Sequence, residues 1–331
     1  MKENNQMDEI NKDVSLDILY RVLVTEKFTD PDPLVKQGDK VIVSRGNIAT
    51  ITGKPKAFKT FLTSSIAAAV LEDEFLSISG DCKRLLFVDT EQSKSHVNNV
   101  QKRIYRLCHW NLEVSKDELV MLALRELDSK ERTKEILNAI EKLKPDLVII
   151  DGIRDLVKDF NSIDETAEII SSLMSVTTKN NCGIITVLHQ NKADKNARGH
   201  LGSELCNKSE TVLQVVNENG IATVSPVFSR NQEISQFSFC IDDSGLPVGC
   251  DIPKVEKNAL ELKKIMQKAM SNNSYLSKAE LEAKVKTEIG KSEKTAKRRV
   301  KDALDKGIIK CNNGYIILAT NENIDNGEIP F

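Results

Sequence analysis

The chain has 331 residues, of which 40% are hydrophobic and 29% are charged, and its formal net charge is −2. This length allows a full hydrophobic core and predicts more than one domain. No apolar run approaches the length of a membrane span, and the polar, acidic first ten residues differ from a secretion signal. Seven cysteines without a C-x-x-C pair indicate reduced thiols, so we expect a cytoplasmic protein with no membrane contact.

Charge is distributed unevenly along the chain. Residues 254–311 contain 16 Lys and Arg against 8 Asp and Glu, a balance of +8. Because residues 312–331 carry −3 and the whole chain −2, the first 253 residues carry −7. A basic C-terminal part favours contact with a polyanion such as DNA, and a solvated lysine-rich surface is the alternative.

The first predicted element is a helix over residues 7–28. Apolar residues recur there at every fourth position from Ile10 to Val22, and Pro31 and Pro33 end the pattern. We therefore assign residues 1–30 to an N-terminal helical segment.

Residues 31–250 alternate apolar, strand-like runs with helical ones. Strands are predicted at 47–52, 84–89, 119–122, 146–151 and 183–188, and helices at 61–71, 93–107, 130–143 and 164–178. Continuous apolar strands are typical of a sheet that is covered on both faces, so the pattern predicts an α/β fold with a mainly parallel sheet. Three later β-type runs, near 211–216, 221–227 and 236–241, are expected to extend one side of the sheet antiparallel.

The segment GKPKAFKT, residues 53–60, joins the strand 47–52 to the helix that follows it. A Gly-opened loop that ends in Lys-Thr at a helix N-terminus is typical of a cradle for nucleotide phosphates. The Lys59 ammonium is expected to reach the terminal phosphates, and the Thr60 hydroxyl to ligate Mg²⁺. The sequence thus predicts ATP and Mg²⁺ as cofactors, and the residues predicted to bind the nucleotide are Gly53, Lys54, Pro55, Lys56, Ala57, Phe58, Lys59, Thr60 and Phe61.

Phe58 departs from the phosphate-loop pattern, because it stands where the second glycine is expected. Glycine serves at that position since it tolerates unusual dihedral angles and lets the backbone approach a phosphate closely. For the segment taken alone, a basic strand-to-helix loop without a nucleotide is the alternative.

Acidic residues follow two of the predicted strands. Asp151 ends the strand 146–151, where a carboxylate can hold Mg²⁺ through water, or simply cap the next turn. Glu91 lies just past the strand 84–89 and is predicted to be the catalytic carboxylate that polarises the attacking water. Asp89 competes for this role, because strand pleating places both acids on the same face. Glu91 is favoured because it is longer and nearer the open edge of the sheet.

Three further candidate groups come later in the chain. His189, in the trio 189–191 after the last parallel strand, is expected to sense the γ-phosphate, or else to be a satisfied loop histidine. Residues 198–203, with Arg198 and His200, are predicted to form a flexible loop that faces DNA, or an ordinary surface loop. Arg230 is predicted to reach the nucleotide of a neighbouring subunit as an arginine finger, or to lie idle at the surface.

The C-terminal part is predicted to contain a linker (251–258) that runs into a helix (the two together 251–272), a winged helix-turn-helix domain (273–320) and an acidic flexible tail (321–331). Residues 277–280 read as a capping box, and Asn312 to Gly314 as a hairpin turn. On the second helix of the domain, one stripe is apolar and the other faces are basic, which suits contact with DNA. The predicted DNA contacts of this helix are Lys294, Lys297, Arg298 and Lys301.

The ordered segments GKPKAFKT, FVDTEQS, PDLVIIDGIRDL, VLHQNK, RGHLGSEL and FSRNQ together resemble the RecA-type ATPases, and among them the RepA-like hexameric replicative helicases of plasmids and mobile elements. The resemblance covers roughly residues 25–245. It implies a RecA-like ATPase core over 31–250, a homo-oligomer such as a hexamer, and single-stranded DNA as a partner. It also implies that Lys59 and Thr60 bind phosphate and Mg²⁺, that Glu91 is catalytic and that Asp151 belongs to the metal site. His189 would then lie in a sensor loop, residues 198–203 would face DNA, and Arg230 would act in trans.

The last residues, ending in Ile329, Pro330 and Phe331, resemble the acidic C-terminal tip of bacterial single-stranded-DNA-binding proteins. This resemblance implies a protein partner with a basic pocket, and an idle tail is the alternative.

Three functions remain open from the sequence. They are an ATP-driven motor on DNA, an ATP-switched DNA-binding or regulatory protein with little turnover, and a signalling ATPase that binds no nucleic acid.

Overall fold

The computed structural model describes residues 22–27, 30–190, 199–251, 254–271, 273, 275–312 and 314–319. The chain divides into two units, residues 1–32 and 33–331. In the first unit, the predicted helix is wrong for residues 22–27, which form a turn in which Glu26 N–H donates to the Leu23 carbonyl at 3.0 Å. Val22 and Val24 are exposed there, so no packing stabilises a short helix. The rest of the predicted helix lies outside the described residues.

Twelve strands, five α-helices and one short 3-10 helix (Ile153–Leu156) of the second unit precede residue 252 in the described chain. The strands are β1 (Pro33–Gln37), β2 (Lys40–Ser44), β3 (Ile48–Gly53), β4 (Ser79–Gly80), β5 (Leu85–Asp89), β6 (Leu119–Ala123), β7 (Leu147–Asp151), β8 (Gly183–His189), β9 (Thr211–Glu218), β10 (Ile221–Ser229), β11 (Phe237–Ile241) and β12 (Pro247–Cys250). The helices are α1 (Lys59–Leu71), α2 (Lys94–Leu107), α3 (Ser129–Leu143), α4 (Ile163–Asn180) and α5 (Gly199–Lys208).

Nine of the described strands form one sheet, in the order β12-β11-β10-β9-β3-β8-β7-β5-β6. The strands from β9 to β6 are parallel, and β10 to β12 continue the sheet antiparallel. The predicted α/β class, a RecA-like, mainly parallel sheet flanked by helices, is confirmed. The expectation that all three late strands run antiparallel is wrong for β9. It pairs parallel with β3 because α5 returns the chain to the amino-terminal edge before β9 begins.

The helices cover both faces of this sheet. The helices α1 and α2 pack in one core cluster, with Ile66 and Val100 buried, and α3, α4 and α5 pack in the other. The helix α1 is covered on nearly every side, because ten of its thirteen residues are buried, among them Thr63, Ser64 and Ser65. The start of α3 is fixed by a capping box between Asp128 and Glu131.

A second, three-stranded sheet was not predicted from the sequence. Its strand order is β2-β1-β4, and it buries Leu34, Val35, Ile42 and Val43 in the same core cluster as α1. Strands of two to five residues give too short a pattern to be recognised against the surrounding turns.

The C-terminal part contains α6 (Lys254–Ala269), β13 (Leu276–Ser277), α7 (Lys278–Ile289), α8 (Glu293–Asp305), β14 (Ile309–Asn312) and β15 (Tyr315–Leu318). The predicted linker over 251–258 is wrong from Lys254 onward, since the run to Ala269 holds good helix formers and no Gly or Pro. The capping box is present, with Ser277 and Glu280 bonded reciprocally. The strands pair antiparallel in the order β13-β15-β14.

Two further sequence expectations concern cysteines and membranes. All seven cysteines are free thiols, and burial raises the pKa of Cys82 and of Cys108 to about 12. Within the described residues, every helix is too short or too polar to cross a membrane.

We predict that Val300→Asp unfolds residues 254–319 while the sheet core stays folded. Val300 is fully buried in a core cluster whose members all lie between Leu262 and Leu318, so it shares no cluster with the sheet. An unpaired carboxylate at such a site costs about 3–5 kcal/mol. Calorimetry should show one transition lost and the other retained, with the exposed Lys301→Asp as the matched control. A single transition that shifts as a whole would contradict the prediction.

Candidate functional site

The register of the sheet brings the candidate site residues to one edge. The strands β3, β8, β7 and β5 are successive neighbours and run parallel, so their carboxyl ends form a row. Gly53 pairs with His189, and Asp89 pairs with Asp151. The open carboxyl edge of an α/β sheet is where such folds bind ligands.

The loop 53–60 begins at a glycine that has no room for a side chain. A Cβ on Gly53 would lie 2.6 Å from the Val215 carbonyl oxygen of the neighbouring strand. Two other loop residues, Lys56 and Phe58, have left-handed backbones with φ of 63° and 65°. Each such conformation costs a non-glycine residue roughly 1–3 kcal/mol, a strain that is typical of functional loops. Phe58 therefore adopts the conformation for which glycine is usually chosen.

Lys59 is the most constrained cation of the site. Its ammonium donates to the carbonyl oxygens of Gly53 at 3.1 Å and Lys54 at 2.9 Å, and it lies 3.0 Å from His189 Nδ1. Only 6% of the residue is exposed. Burial lowers the pKa of Lys59 from 10.5 to about 8, although Asp151 and Glu91 act in the opposite direction.

Thr60 and Asp151 meet at the start of α1. The Thr60 hydroxyl donates to Asp151 Oδ2 at 2.7 Å. Burial raises the pKa of Asp151 to about 6, and the bond from Thr60 opposes this shift. A hydroxyl and a carboxylate are the hard oxygen ligands that Mg²⁺ prefers, with phosphates and waters completing its shell. The described residues contain no cluster of three or more His, Cys, Asp or Glu side chains suited to a metal.

The structure separates the two acids that compete after β5. Asp89 turns back to cap its own turn, because its Oδ1 accepts from the backbone N–H groups of Glu91 at 3.0 Å and Gln92 at 2.7 Å. Glu91 instead extends toward β8, and its Oε1 lies 3.6 Å from His189 Nε2. The nearby His189 and the charge of Lys59 hold the pKa of Glu91 below its usual range, so it is a carboxylate at neutral pH.

A cavity of about 300 Å³ lies between the loop and this row of polar groups. Its lining includes Lys59, Thr60, Asp151, Glu91 and His189, which are thus brought together as the sequence predicts. The Phe58 ring is part of the wall and does not fill the cavity. Sequence reasoning missed three lining residues, Gln92, Val100 and Arg103. Arg103 gave no signal of its own, since it is one of several cations on the amphipathic helix α2.

Two predicted site residues, His200 and Arg230, do not line this cavity. The segment 199–203 is not a loop but the start of α5, because Leu201 and Leu205 are buried against Phe160 and its neighbours. Within it, His200 is half-buried, and Arg198 and Asn191 lie outside the described residues. Arg230 follows β10 at the opposite edge of the sheet, where its guanidinium donates to the Lys208 carbonyl at 3.0 Å at the end of α5.

The predicted DNA contacts of the C-terminal part are all exposed on α8. Lys297 pairs with Glu293 at 2.7 Å, and no partner is recorded within the described residues for Lys294, Arg298 or Lys301. The apolar stripe of the same helix is buried, with Ala296, Val300 and Ala303 facing the core. The tip residues Ile329, Pro330 and Phe331 lie outside the described residues.

A family model described as an AAA domain matches residues 19–195, which is more than half of the chain. The chain therefore belongs to this AAA domain family. The AAA domain points to an ATPase of the P-loop class and hence to nucleotide binding, usually with Mg²⁺. No curated protein matches the chain.

We predict that Lys59→Met raises the free energy of unfolding of the nucleotide-free protein at pH 7. The difference between pKa values of 10.5 and about 8 corresponds to roughly 3 kcal/mol of disfavoured charge. The three hydrogen bonds that the ammonium loses offset about 0.7 kcal/mol each, which leaves a net gain of about 1 kcal/mol.

The pH dependence gives an independent check on the same lysine. Between pH 8 and 10.5 the unfolded chain holds more protons than the folded one at Lys59, so this residue makes stability rise with pH in that window. Urea denaturation of the wild type and of Lys59→Met across this pH range should show that the variant lacks the rise in free energy of unfolding that Lys59 contributes. An unchanged or reduced stability of the variant at pH 7, with the same pH slope, would show that burial does not disfavour the charge.

Proposed function

We propose that this protein binds ATP with Mg²⁺ at the loop 53–60 and hydrolyses it. The observation that carries this proposal is the convergence of Lys59, the Thr60–Asp151 pair and the Glu91–His189 pair on one cavity. The helix α1 begins at Lys59, which lines this cavity, and the start of a helix favours an anion.

Each residue has a role that its contacts support. Lys59 exchanges its carbonyl and His189 partners for phosphate oxygens, and Thr60 and Asp151 hold the metal. When bound, Mg²⁺ supplies neutralisation of the charge on the β- and γ-phosphates. Glu91 is ionised and unencumbered by its own turn, so it accepts the proton of the attacking water. His189 touches both Lys59 and Glu91, so it is placed to report the state of the γ-phosphate.

We further propose that the C-terminal part is a winged helix-turn-helix that binds DNA. Support comes from the α7, α8 and hairpin arrangement and from the exposed cations of α8. The positive balance of residues 254–311 adds long-range attraction for a polyanion.

We propose that the protein acts as a homo-oligomer, such as a hexamer, in which Arg230 serves a neighbouring subunit. Arg230 lies at the edge of the sheet opposite to its own phosphate loop, so it cannot serve its own site from there. Val227 and Phe228 beside it are exposed, 59% and 43%, which favours a subunit contact. We propose that the specific activity is that of a DNA motor, which acts in the cytoplasm in the replication or mobilisation of a mobile element.

We also propose that the C-terminal tip binds a protein partner.

An ATP-switched DNA-binding or regulatory protein with little turnover is the second candidate. Phe58 favours it, because a phenylalanine with φ of 65° replaces the glycine that usually lets the backbone of a phosphate loop approach a phosphate closely. Phosphate-release assays with and without single-stranded DNA separate the two candidates. Stimulated turnover together with strand unwinding supports the motor, and ATP-dependent assembly without turnover supports the switch.

We predict that Glu91→Gln lowers ATP turnover by about 100-fold or more and leaves ATP affinity within a few-fold, since only the proton acceptor is lost. Steady-state phosphate release and equilibrium nucleotide binding measure the two effects. Glu113→Gln, a change of an exposed acid outside the cavity, is the control. Retained turnover in Glu91→Gln would remove Glu91 from its proposed role.

We predict that Lys294→Ala together with Arg298→Ala weakens DNA binding and reduces the salt slope by about 2, because two phosphate contacts are lost. Fluorescence anisotropy over a salt series gives both quantities. The matched control is Lys264→Ala with Lys268→Ala, a pair of exposed lysines on α6. Equal effects of the two pairs would mean that binding reflects net charge and not the α8 surface.

A further inference from the structure

Arg103 is a half-buried cation in the wall of the phosphate-loop cavity, and none of the proposed catalytic roles uses it. It projects from α2, and its guanidinium carbon lies 3.7 Å from the centre of the Phe61 ring. Its Nη1 donates to the Ser64 hydroxyl at 3.3 Å, a long hydrogen bond. Burial lowers its pKa from the ordinary value.

The environment of Arg103 lacks an anion. Arg45 pairs with Asp146 at 2.8 Å and Arg299 with Glu261 at 2.9 Å, whereas within the described residues no carboxylate lies at ion-pair distance from Arg103. A guanidinium carries five N–H donors, and one hydroxyl satisfies only one of them. A half-buried cation of this kind is usually compensated by a bound or neighbouring anion.

The aromatic residues of the loop hold this cation in place. The Phe58 ring meets the Phe61 ring edge to face, with centroids 5.4 Å apart and an angle of 71° between the planes. Phe61 in turn presents its face to Arg103, a cation–π contact that orients the planar guanidinium. Phe58, the residue that replaces the expected glycine, therefore supports the ring on which Arg103 lies.

We propose that Arg103 binds the α- or β-phosphate of the nucleotide from the wall of the cavity. The inference rests on the proposed nucleotide site. Lys59 and Thr60 contact His189 and Asp151, which mark the γ-phosphate and metal end. Arg103 lies instead over Phe61, the next residue along α1, and lines the same cavity. A guanidinium fork matches two phosphate oxygens, so it adds a contact that ATP and ADP share.

The test compares ADP and a non-hydrolysable ATP analogue, each with Mg²⁺, in equilibrium titrations of the full chain. Arg103→Met keeps the apolar stem and removes the charge. It should weaken both ligands by the same factor, about 10-fold or more, which is typical of one lost charged hydrogen bond. Arg103→Lys should recover only part of the affinity, because an ammonium has no fork. Arg106→Met, a change of an exposed arginine one turn further along α2, is the matched control and should bind as the wild type does.

The outcomes are distinguishable from failure of the site itself. If the wild type binds nucleotide and Arg103→Met binds equally well, the proposal for Arg103 is overturned while the nucleotide site stands. A loss for the ATP analogue alone also overturns it, since Arg103 would then act at the γ-phosphate. If the wild type binds neither ligand, the proposed function fails first.

A second variant keeps the proposal testable should Arg103→Met fail to fold. Phe61→Leu preserves an apolar side chain and removes the ring under the guanidinium. It should weaken ADP and the ATP analogue alike by a few-fold. Unchanged nucleotide affinity of Phe61→Leu, with circular dichroism equal to that of the wild type, would count against the proposal that the Phe61 ring holds Arg103 in place for the phosphate.

Discussion

The buried ammonium of Lys59 is the interaction on which the rest of the site depends. Three acceptors hold it in the absence of a ligand, namely two main-chain carbonyls of its own loop and one ring nitrogen of His189. These contacts satisfy its donors but supply little negative charge, so burial still lowers its pKa to about 8. A nucleotide phosphate bound as proposed would supply the missing charge at the same place. Burial of the charged ammonium therefore costs free energy in the free protein, and a bound anion would reduce this cost. A stable ion pair differs, because its anion is already present.

The topology of the sheet explains why the acids meet that lysine. The strands β8 and β7 lie between the phosphate-loop strand and β5, so the acids come from strands at increasing distance from the loop. Asp151 reaches Thr60 directly, whereas Asp89 is one strand further away and serves its own turn. Glu91 spans the remaining distance because two more residues and a longer side chain carry it back to His189. The difference in role between Asp89 and Glu91 is therefore one of reach and not of chemical type.

Much of this arrangement can be predicted from local sequence patterns, because strand ends and a Gly-opened loop have strong signals. Sequence patterns predict the parallel strands and the helices α1 to α4 to within about two residues, and the sheet edge follows from their order. The failures share one cause, which is tertiary context. The sequence of residues 199–203 is typical of a loop, but burial of Leu201 in the core stabilises a helix there. The residues from 254 resemble a linker, but burial of Leu262 and Met266 stabilises a helix. The place of Arg103 depends on how α2 packs against α1, which no pattern within one helix encodes.

Phe58 shows how a departure from a motif is understood only in its surroundings. Considered alone, a phenylalanine with φ of 65° is a strained substitute for glycine, and its bulk threatens the cavity. In the structure the backbone takes the left-handed conformation nonetheless, so the path of the loop is kept. The Phe58 ring packs edge to face against the Phe61 ring, whose own face lies under the Arg103 guanidinium. The left-handed backbone of Phe58 destabilises the loop, and the contact between the Phe58 and Phe61 rings stabilises it. The substitution therefore places an aromatic residue beside Phe61 in the wall of the cavity.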